Sequence, residues 1–462
     1  MSEKITFDAE LIRRYDRSGP RYTSYPTAVQ FVETFDAARY REIAARSVAE
    51  RPARPLSLYF HIPFCDTVCF YCACNKHVTK DRGLAQPYLD RLQREIAMQA
   101  ALFPDERVVE QLHWGGGTPT FISAAQMHEL MARTREHFRL ADDVNGEFSV
   151  EVDPREAPPE TIRLLREIGF NRLSMGVQDF DPAVQKAVNR LQPEEITLAS
   201  LDAAREHGFR SISLDLIYGL PKQSAKTFAE TLDKIVALGP DRLSVFNYAH
   251  LPELFKPQRR INPEELPSPA EKLDILQLTT ERLAAAGYVY IGMDHFARPD
   301  DELAVAQREG TLYRNFQGYS THAECDLIGL GATSIGSVGP SYAQNRREIA
   351  NYYEAIDGGD LAVFRGVELD ADDLLRRAVI TELICHFRLV FADVEAAYGI
   401  DFADYFAREL EDLAPMQDDG LLRLAPDRID VTPAGRFLIR NICMVFDRYL
   451  RESASQRFSK VI

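Results

Sequence analysis

Between Ser57 and His250 the chain alternates short apolar runs with longer amphipathic stretches, a pattern that few architectures accept. The runs are SLYFHI, VVEQLHWG, EFSVEVD, RLSMGVQ, SISLDLIYG and RLSVFNYAH, with YVYIGMDHF as a seventh candidate. Among the intervening stretches, QPYLDRLQREIAMQAALF, PETIRLLREIGF, EEITLASLDAAREHGF and SAKTFAETLDKIVALG carry apolar residues at helical spacing, and several run into a glycine, a common helix stop. Strand, helix and strand in succession make a parallel pair with a crossover, so the repeated unit predicts an α/β fold with a parallel sheet.

The strand ends carry the unusual residues. Four cysteines follow the first strand and Gly115-Gly116-Gly117-Thr118-Pro119 the second, while Glu151 and Asp153 lie on the third. Gln178 and Asp179 lie on the fourth, Asp215 and Tyr218 on the fifth, and Asn247, Tyr248 and His250 on the sixth. Glycine and polar residues mark ordinary strand ends too. Six such ends in succession favour one shared site, because a barrel of parallel strands gathers its chemistry at that edge.

The loop CDTVCFYCACNK holds four of the seven cysteines of this 462-residue chain. An odd number in so long a chain argues against the disulfide framework of a small secreted domain. Structural zinc usually takes two ligand pairs about a dozen or more residues apart, and Cys65, Cys69, Cys72 and Cys74 have no such second pair. The spacing C-x3-C-x2-C suits three corners of a cubane iron–sulfur cluster and leaves one iron open. A thiolate from Cys74 would close that position, so Cys74 reads as a non-ligand, either near a bound molecule or simply packed. Cys325, Cys385 and Cys443 are scattered and read as small apolar side chains.

A formal charge of −16 argues against a general nucleic-acid binder, and any anionic ligand must meet a local basic pocket. The start, MSEKITFDAELIRRYD, has no apolar signal core, and nowhere do about 18 apolar residues run together. A cytoplasmic location without a membrane partner is expected. The organisation reads as an N-terminal arm over 1–38 that contains SGPRYTSYPTAVQF, a βα core over 39–315, and a mainly helical C-terminal domain over 316–462, helical from about Ser341. After the cysteines, NKHVTKDR sets Lys76, His77, Lys80 and Arg82 against Asp81, either a docking edge for an anionic partner or a solvated loop.

Cys65, Cys69, Tyr71 and Cys72 together resemble the signature of the radical S-adenosylmethionine superfamily. More specifically, SGPRYTSYPTA, HIPFC, HWGGGTPT, VDPRE, GFNRLSMGVQDF, DLIYGLPKQ, DRLSVFNYAHLP, GMDHFARPDDELAVAQREG, NRREIANYY and LIRNICMVFDRYL resemble the oxygen-independent coproporphyrinogen III dehydrogenase family of haem biosynthesis, over nearly the whole length. The resemblance implies a partial, three-quarter TIM-like barrel of six βα units with an arm and a helical C-terminal domain. It implies a 4Fe-4S cluster on Cys65, Cys69 and Cys72 whose open iron chelates S-adenosylmethionine. A 5′-deoxyadenosyl radical then removes hydrogen from a propionate β-carbon of coproporphyrinogen III. Loss of carbon dioxide and one electron leaves a vinyl group, and two rounds give protoporphyrinogen IX.

The same resemblance assigns cofactor contacts and singles out no catalytic residue, the radical arising at the cluster and S-adenosylmethionine. Tyr59 meets the methionine moiety, Tyr71 the adenine, Glu151 the ribose and Ile335 offers its backbone. The amides of Gly116, Gly117 and Thr118 bind the amino-acid end. Gln178, Arg190, Asp215 and Ala249, joined by Tyr71, Gly117 and Thr118, meet a second S-adenosylmethionine. A monomer served by a low-potential electron donor of the flavodoxin type is implied. Arg21, Tyr22 and Tyr25 are expected to cover the barrel mouth and offer charge and aromatic surface to a flat, anionic tetrapyrrole. The competing readings are a haem-binding or haem-delivery relative, against which Cys74 and the arm speak, and a structural zinc protein.

Overall fold

The structure, a computed structural model, describes residues 6–452; residues 1–5 of the charged start and 453–462 of the C-terminal segment lie outside the described residues. The chain divides into two compact units. One comprises Phe31–Ser268 with Glu324–Glu368, the other Met1–Gln30, Pro269–Ala323 and Leu369–Ile462.

The first unit is built on six strands: β1 Leu56–Ile62, β2 Val109–Gly116, β3 Glu147–Val152, β4 Arg172–Gln178, β5 Ser211–Tyr218 and β6 Arg242–Asn247. Each is parallel to the next, in chain order, as the alternating pattern predicts. Helices Ala85–Ala100, Ala124–His137, Pro159–Glu167, Glu194–Glu206 and Ala225–Leu238 make the crossovers. The helix Ala225–Leu238 stops at Gly239, whose φ of 58° is left-handed, as the glycine signal predicts.

Side chains alternate across a strand, and here the two sets differ in kind. Leu58, Phe60, Leu112, Trp114, Val150, Leu173, Met175, Leu214, Leu216 and Val245 are buried core. The opposite set holds Tyr59, His61, His113, Glu151, Ser174, Gly176, Asp215 and Ser244. Its members stand in register, Tyr59 beside His113, Glu151 beside Ser174, Gly176 beside Asp215, and Asp215 beside Ser244. One face of the sheet is therefore polar by sequence parity alone.

Beyond β1 the sheet continues with four strands from the segment read as C-terminal domain. They are β7 Asp326–Leu330, parallel to β1, then β8 Ile335–Ser337, β9 Ser341–Asn345 and β10 Val363–Glu368, all antiparallel. The division at residue 316 and the helical start near Ser341 thus differ from the structure. Two buried carboxylates account for it. Asp326 is bound by Arg107 at 2.9 Å, Arg54 at 3.0 Å and Ser47 at 2.8 Å. Glu95 takes the Gly331 amide and the side chains of Asn345 and Tyr352.

The seventh run, YVYIGMDHF, is no continuous strand. Val289–Gly292 and His295–Ala297 pair antiparallel in the second unit, because Met293 and Asp294 take left-handed φ values of 46° and 74° and reverse the chain. Period-two alternation carries no signal for such a reversal.

The second unit contains helices Ala371–His386 and Ile439–Val445 and takes the described arm residues as far as Gln30, while the rest of the arm belongs to the first unit. Tyr22 is buried and donates to Asp447 at 2.9 Å. Tyr25, also buried, accepts from the Arg448 amide at 3.1 Å, with its ring 6.0 Å from that of Tyr449. The expected display of both tyrosines to a tetrapyrrole is corrected on this point: their faces are packed away, and Arg21 alone of the three is half-exposed. Among the described residues no helix is long and apolar enough to cross a membrane.

Candidate active site

The cysteine loop leaves the end of β1 and is closed at its root by a short parallel bridge, Phe64 with His77 and Cys65 with Val78. Further bonds pin its middle. The Phe70 amide donates to Val188 O, Asn189 Nδ2 to Val68 O, and Gln258 Nε2 to Tyr71 O at 3.0 Å. The Tyr71 ring packs on Val184, Val188, Leu220, Tyr248 and Ile261. The loop is thus held from three sides before any ligand binds.

Its sulfurs face hydrogen-bond donors. The Thr118 hydroxyl lies 3.7 Å from Cys65 Sγ, and Arg155 and Arg190 each place a guanidinium nitrogen 3.6 Å from Cys69 Sγ. Cys72 and Cys74 share a hydrogen bond, and Lys76 donates to Cys72 O at 3.2 Å. The hydrogen bond from Cys74, then the Lys76 charge, draw the Cys72 thiol down to about 5 against burial, while the same bond and the Cys72 charge push Cys74 well up, so Cys72 is the thiolate of the pair.

Arg190 is buried, with Nη1 2.8 Å from Asp153 and Nη2 2.6 Å from Gly176 O; its Nε has no hydrogen-bond partner among the described residues. Asp153 also takes Arg155 at 2.6 Å. Burial pushes the Asp153 carboxyl up, but Arg190 and Arg155 outweigh it and hold it below the ordinary value. The carboxylate pairing expected of Arg190 is therefore already made, within the chain. A Cβ at Gly176 would lie 2.7 Å from Gln178 Nε2 and 3.0 Å from Arg190 Nη2, so both side chains close over this glycine. Gln178 itself, at φ 69°, breaks the β4 register.

Glu151 accepts from His113 Nε2 at 3.2 Å and from the Gly116 amide at 3.3 Å. Burial raises its carboxyl and these partners more than reverse the shift, so it stays ionised. Set deep between strands, it still exposes 47% of its side chain, which places it on the wall of a cleft. Asp215 has only neutral hydroxyl partners, Ser174 at 3.0 Å and Ser244; burial and then Glu151 raise it to about 6. Ala249 is half-buried just past β6. Ile335 begins β8, beside Gly329, which is in register with Tyr59.

The glycine turn differs from expectation. The Gly117 amide donates to Ile62 O at 2.8 Å, that of Thr118 to Phe64 O at 2.7 Å, and that of Gly116 to Glu151. These donors are occupied by the chain and do not await a ligand. The glycines serve close approach instead: a Cβ on Gly117 would lie 2.5 Å from Phe64 O, and one on Gly116 2.7 Å from the His61 ring.

His61, His113, Arg155 and Ser174 were not singled out by sequence reasoning. His61 Nε2 lies 3.0 Å from Asn75 O, which can only accept, so Nε2 carries the proton and Nδ1 accepts from Tyr59 at 3.1 Å. His61 thereby ties β1 to the far end of the cysteine loop. Parity with Tyr59 and Glu151 would have found the two histidines and the serine, and the motif VDPRE the arginine. In the basic run Arg82 is neutralised by Glu156 at 2.5 Å and Asp66 at 3.5 Å.

The profile of the Radical SAM superfamily matches residues 59–235, and that of the HemN C-terminal domain residues 369–438. The oxygen-independent coproporphyrinogen III oxidase of Pseudomonas aeruginosa is 58% identical over 462 residues, covering 100% of both chains. That of Escherichia coli is 54% identical, covering 100% of this chain and 99% of its own. The solved Escherichia coli coproporphyrinogen III oxidase (HemN), described as a radical SAM enzyme, superposes with a TM-score of 0.92 at 52% identity over 97% of this chain and 100% of that one. With the cysteine loop, the polar sheet face and both units accounted for end to end, the chain belongs to the oxygen-independent coproporphyrinogen III oxidase family of radical S-adenosylmethionine enzymes.

Proposed function

We infer that this chain oxidatively decarboxylates two propionate side chains of coproporphyrinogen III to vinyl groups, giving protoporphyrinogen IX in haem biosynthesis. The observation that carries the reading is the meeting of a three-cysteine loop with a polar cleft, in a chain matched over its whole length by enzymes of that name.

The family implies a 4Fe-4S cluster and S-adenosylmethionine, and the residues present fit them. Cys65, Cys69 and Cys72 would hold the irons, while two guanidiniums and a hydroxyl aimed at the sulfurs offset the charge of thiolate ligands. When bound, cluster and cofactor supply one-electron chemistry that opens an unactivated C–H bond. The chain orients and shields that chemistry. Glu151, kept ionised by His113, accepts from ribose hydroxyls. With the turn's amides engaged, the backbone oxygens of Gly116 and Gly117 and the Thr118 hydroxyl accept from the cofactor's ammonium group. Tyr59 faces the methionine end, Tyr71 the adenine, and Ile335 adds a backbone contact.

A second S-adenosylmethionine sits against Gln178, Arg190, Asp215 and Ala249, with Tyr71, Gly117 and Thr118 between the two. Arg190 can give it only the unmatched Nε, whereas Asp215, hydrogen-bonded to the Ser174 and Ser244 hydroxyls, suits an ammonium. The six βα units form the family's three-quarter barrel, and the protein works as a cytoplasmic monomer. A flavodoxin-type donor approaches the basic loop, where Lys76 and Lys80 carry the charge that Arg82 does not.

Anaerobic reconstitution followed by assay of carbon dioxide and vinyl product from coproporphyrinogen III, with S-adenosylmethionine and a reductant, tests the reading. Turnover that needs both the cluster and the cofactor is expected. Tight haem binding without carbon dioxide release would instead make the chain a haem-delivery protein.

A further inference from the structure

In the unit that holds the arm, three guanidinium groups, those of Arg21, Arg314 and Arg440, bear on a single carboxylate, Asp294. Arg440 is buried and committed to the chain: its Nε donates to Pro20 O at 2.9 Å and its Nη2 to Gly19 O. Arg21 lies 3.7 Å from Asp294 with 38% of its side chain exposed, and marks the open side of the group. Arg314 is different. It is 8% exposed and its guanidinium lies 4.7 Å from the centre of the Tyr319 ring, but Nε and Nη1 have no hydrogen-bond partner among the described residues.

A buried cation with two unmet donors is costly and calls for an explanation. Its neighbours do not supply one. Burial, then Arg21, lowers Arg440 to about 10, and burial, then Arg314, lowers His295 to about 3, so the histidine is neutral and the cations repel one another. The backbone keeps this arrangement in place at some expense. Met293 and Asp294 are left-handed, and Gly292, at φ 131°, leaves room for the Tyr319 hydroxyl, which a Cβ would meet at 2.5 Å. Non-glycine residues in that region persist where the surroundings over-determine them, and they gather at ligand sites.

We propose that Arg314, with Arg440 and Arg21, forms a carboxylate pocket in this unit that takes one propionate side chain of the tetrapyrrole. The planar guanidinium matches a carboxylate, and the ring of Tyr319 backs it. The choice of propionate rests on the substrate inferred above; a free carboxylate ion has the same chemistry and must be told apart by experiment.

The test uses the full-length reconstituted protein and coproporphyrin III, the stable oxidised tetracarboxylate, followed by its Soret band, beside its tetramethyl ester. Arg314→Gln should weaken binding of the acid about ten- to a hundredfold, Arg314→Lys by less, and leave the weak binding of the ester unchanged. Equal affinity of parent and Arg314→Gln for the acid, or no binding of the acid by the parent, would overturn the pocket. If acid and ester bind the parent alike while propionate ion alone raises its melting temperature, and Arg314→Gln abolishes that rise, the site serves a free carboxylate and the propionate assignment falls. Absence of decarboxylation with the acid–ester discrimination intact would remove the inferred activity and leave the pocket standing. Should Arg314→Gln not fold, the half-exposed Arg21→Gln takes its place, with several-fold weaker acid binding expected and no change counting against the pocket.

Discussion

Arg190 and Arg314 are both buried arginines, one in each unit, yet their surroundings are opposite. Arg190 is clasped by Asp153, Gly176 O and Cys69, and burial does not overcome those partners. Arg314 has an aromatic ring and two unmet donors. The first arrangement is a frame: charge satisfied within the chain fixes the geometry of the cysteine loop whether or not a ligand is present. The second is an unfinished contact. A buried cation with two donors unmet among the described residues points outward, to a molecule that the chain binds.

Removing the thiolates attacks the frame most directly. Cys69→Ala should lose iron, sulfide and activity altogether, because the loop supplies three ligands and no spare; Cys74→Ala should keep a full complement of both by chemical analysis after anaerobic reconstitution. Failure of cluster assembly in Cys74→Ala alone would refute the three-ligand loop.

Asp153→Asn would turn Arg190 into a second orphan. Breaking a buried pair costs about 3–5 kcal/mol, so denaturant unfolding should show a loss in that range and the cluster should bind weakly. A change under about 1 kcal/mol would mean that Cys69 and Gly176 O suffice, and that the contrast between the two arginines is one of degree.

Gly117→Ala tests the frame where it is packed and uncharged. Its Cβ would be driven into Phe64 O, a backbone atom that cannot swing aside, for a cost of about 1–3 kcal/mol in thermal unfolding. Unaltered stability would show that the root of the cysteine loop yields.

The smallest effect concerns Asp215, a carboxylate on which burial and Glu151 outweigh the Ser174 and Ser244 hydroxyls and the Arg190 charge. Its folded value of about 6 lies above the ordinary 3.8, so the folded chain binds this proton more tightly than the unfolded one. That contribution is complete below 3.8 and is lost as pH rises through about 6. Asp215→Asn should therefore be more stable than the parent at about pH 7.5, by about 1–2 kcal/mol after discounting for partial exposure, with the gap closing near pH 4. A constant gap from pH 4 to 8 would assign the effect to packing.

Much of this was legible along the chain. Alternation of period two and 3.6 located β1 to β6 and their crossovers, and parity put Glu151 and Asp215 on one face, because both patterns depend on residues a few positions apart. Cysteine spacing is equally local. The same reasoning missed His61, His113 and Ser174, although they share that parity, since a lone histidine or serine in a strand has no signature of its own.

Tertiary structure decided which polar groups were already taken. From sequence, the amides of Gly117 and Thr118 and the guanidinium of Arg190 look equally available to a ligand; in the fold, Ile62 O, Phe64 O and Asp153 hold them. Arg107 finds Asp326 across 219 positions, Asn345 finds Glu95 across 250, and Tyr22 finds Asp447 across 425. These contacts sent residues 324–368 into the sheet and buried Tyr22 of the arm. What the amino-acid order determined by itself was the sheet, its polar face and the three-cysteine loop, each encoded by neighbours in the chain. Which donors are committed and which, like those of Arg314, remain open follows from partners hundreds of residues away, and only the folded chain brings them within the 3 Å or so over which a hydrogen bond acts.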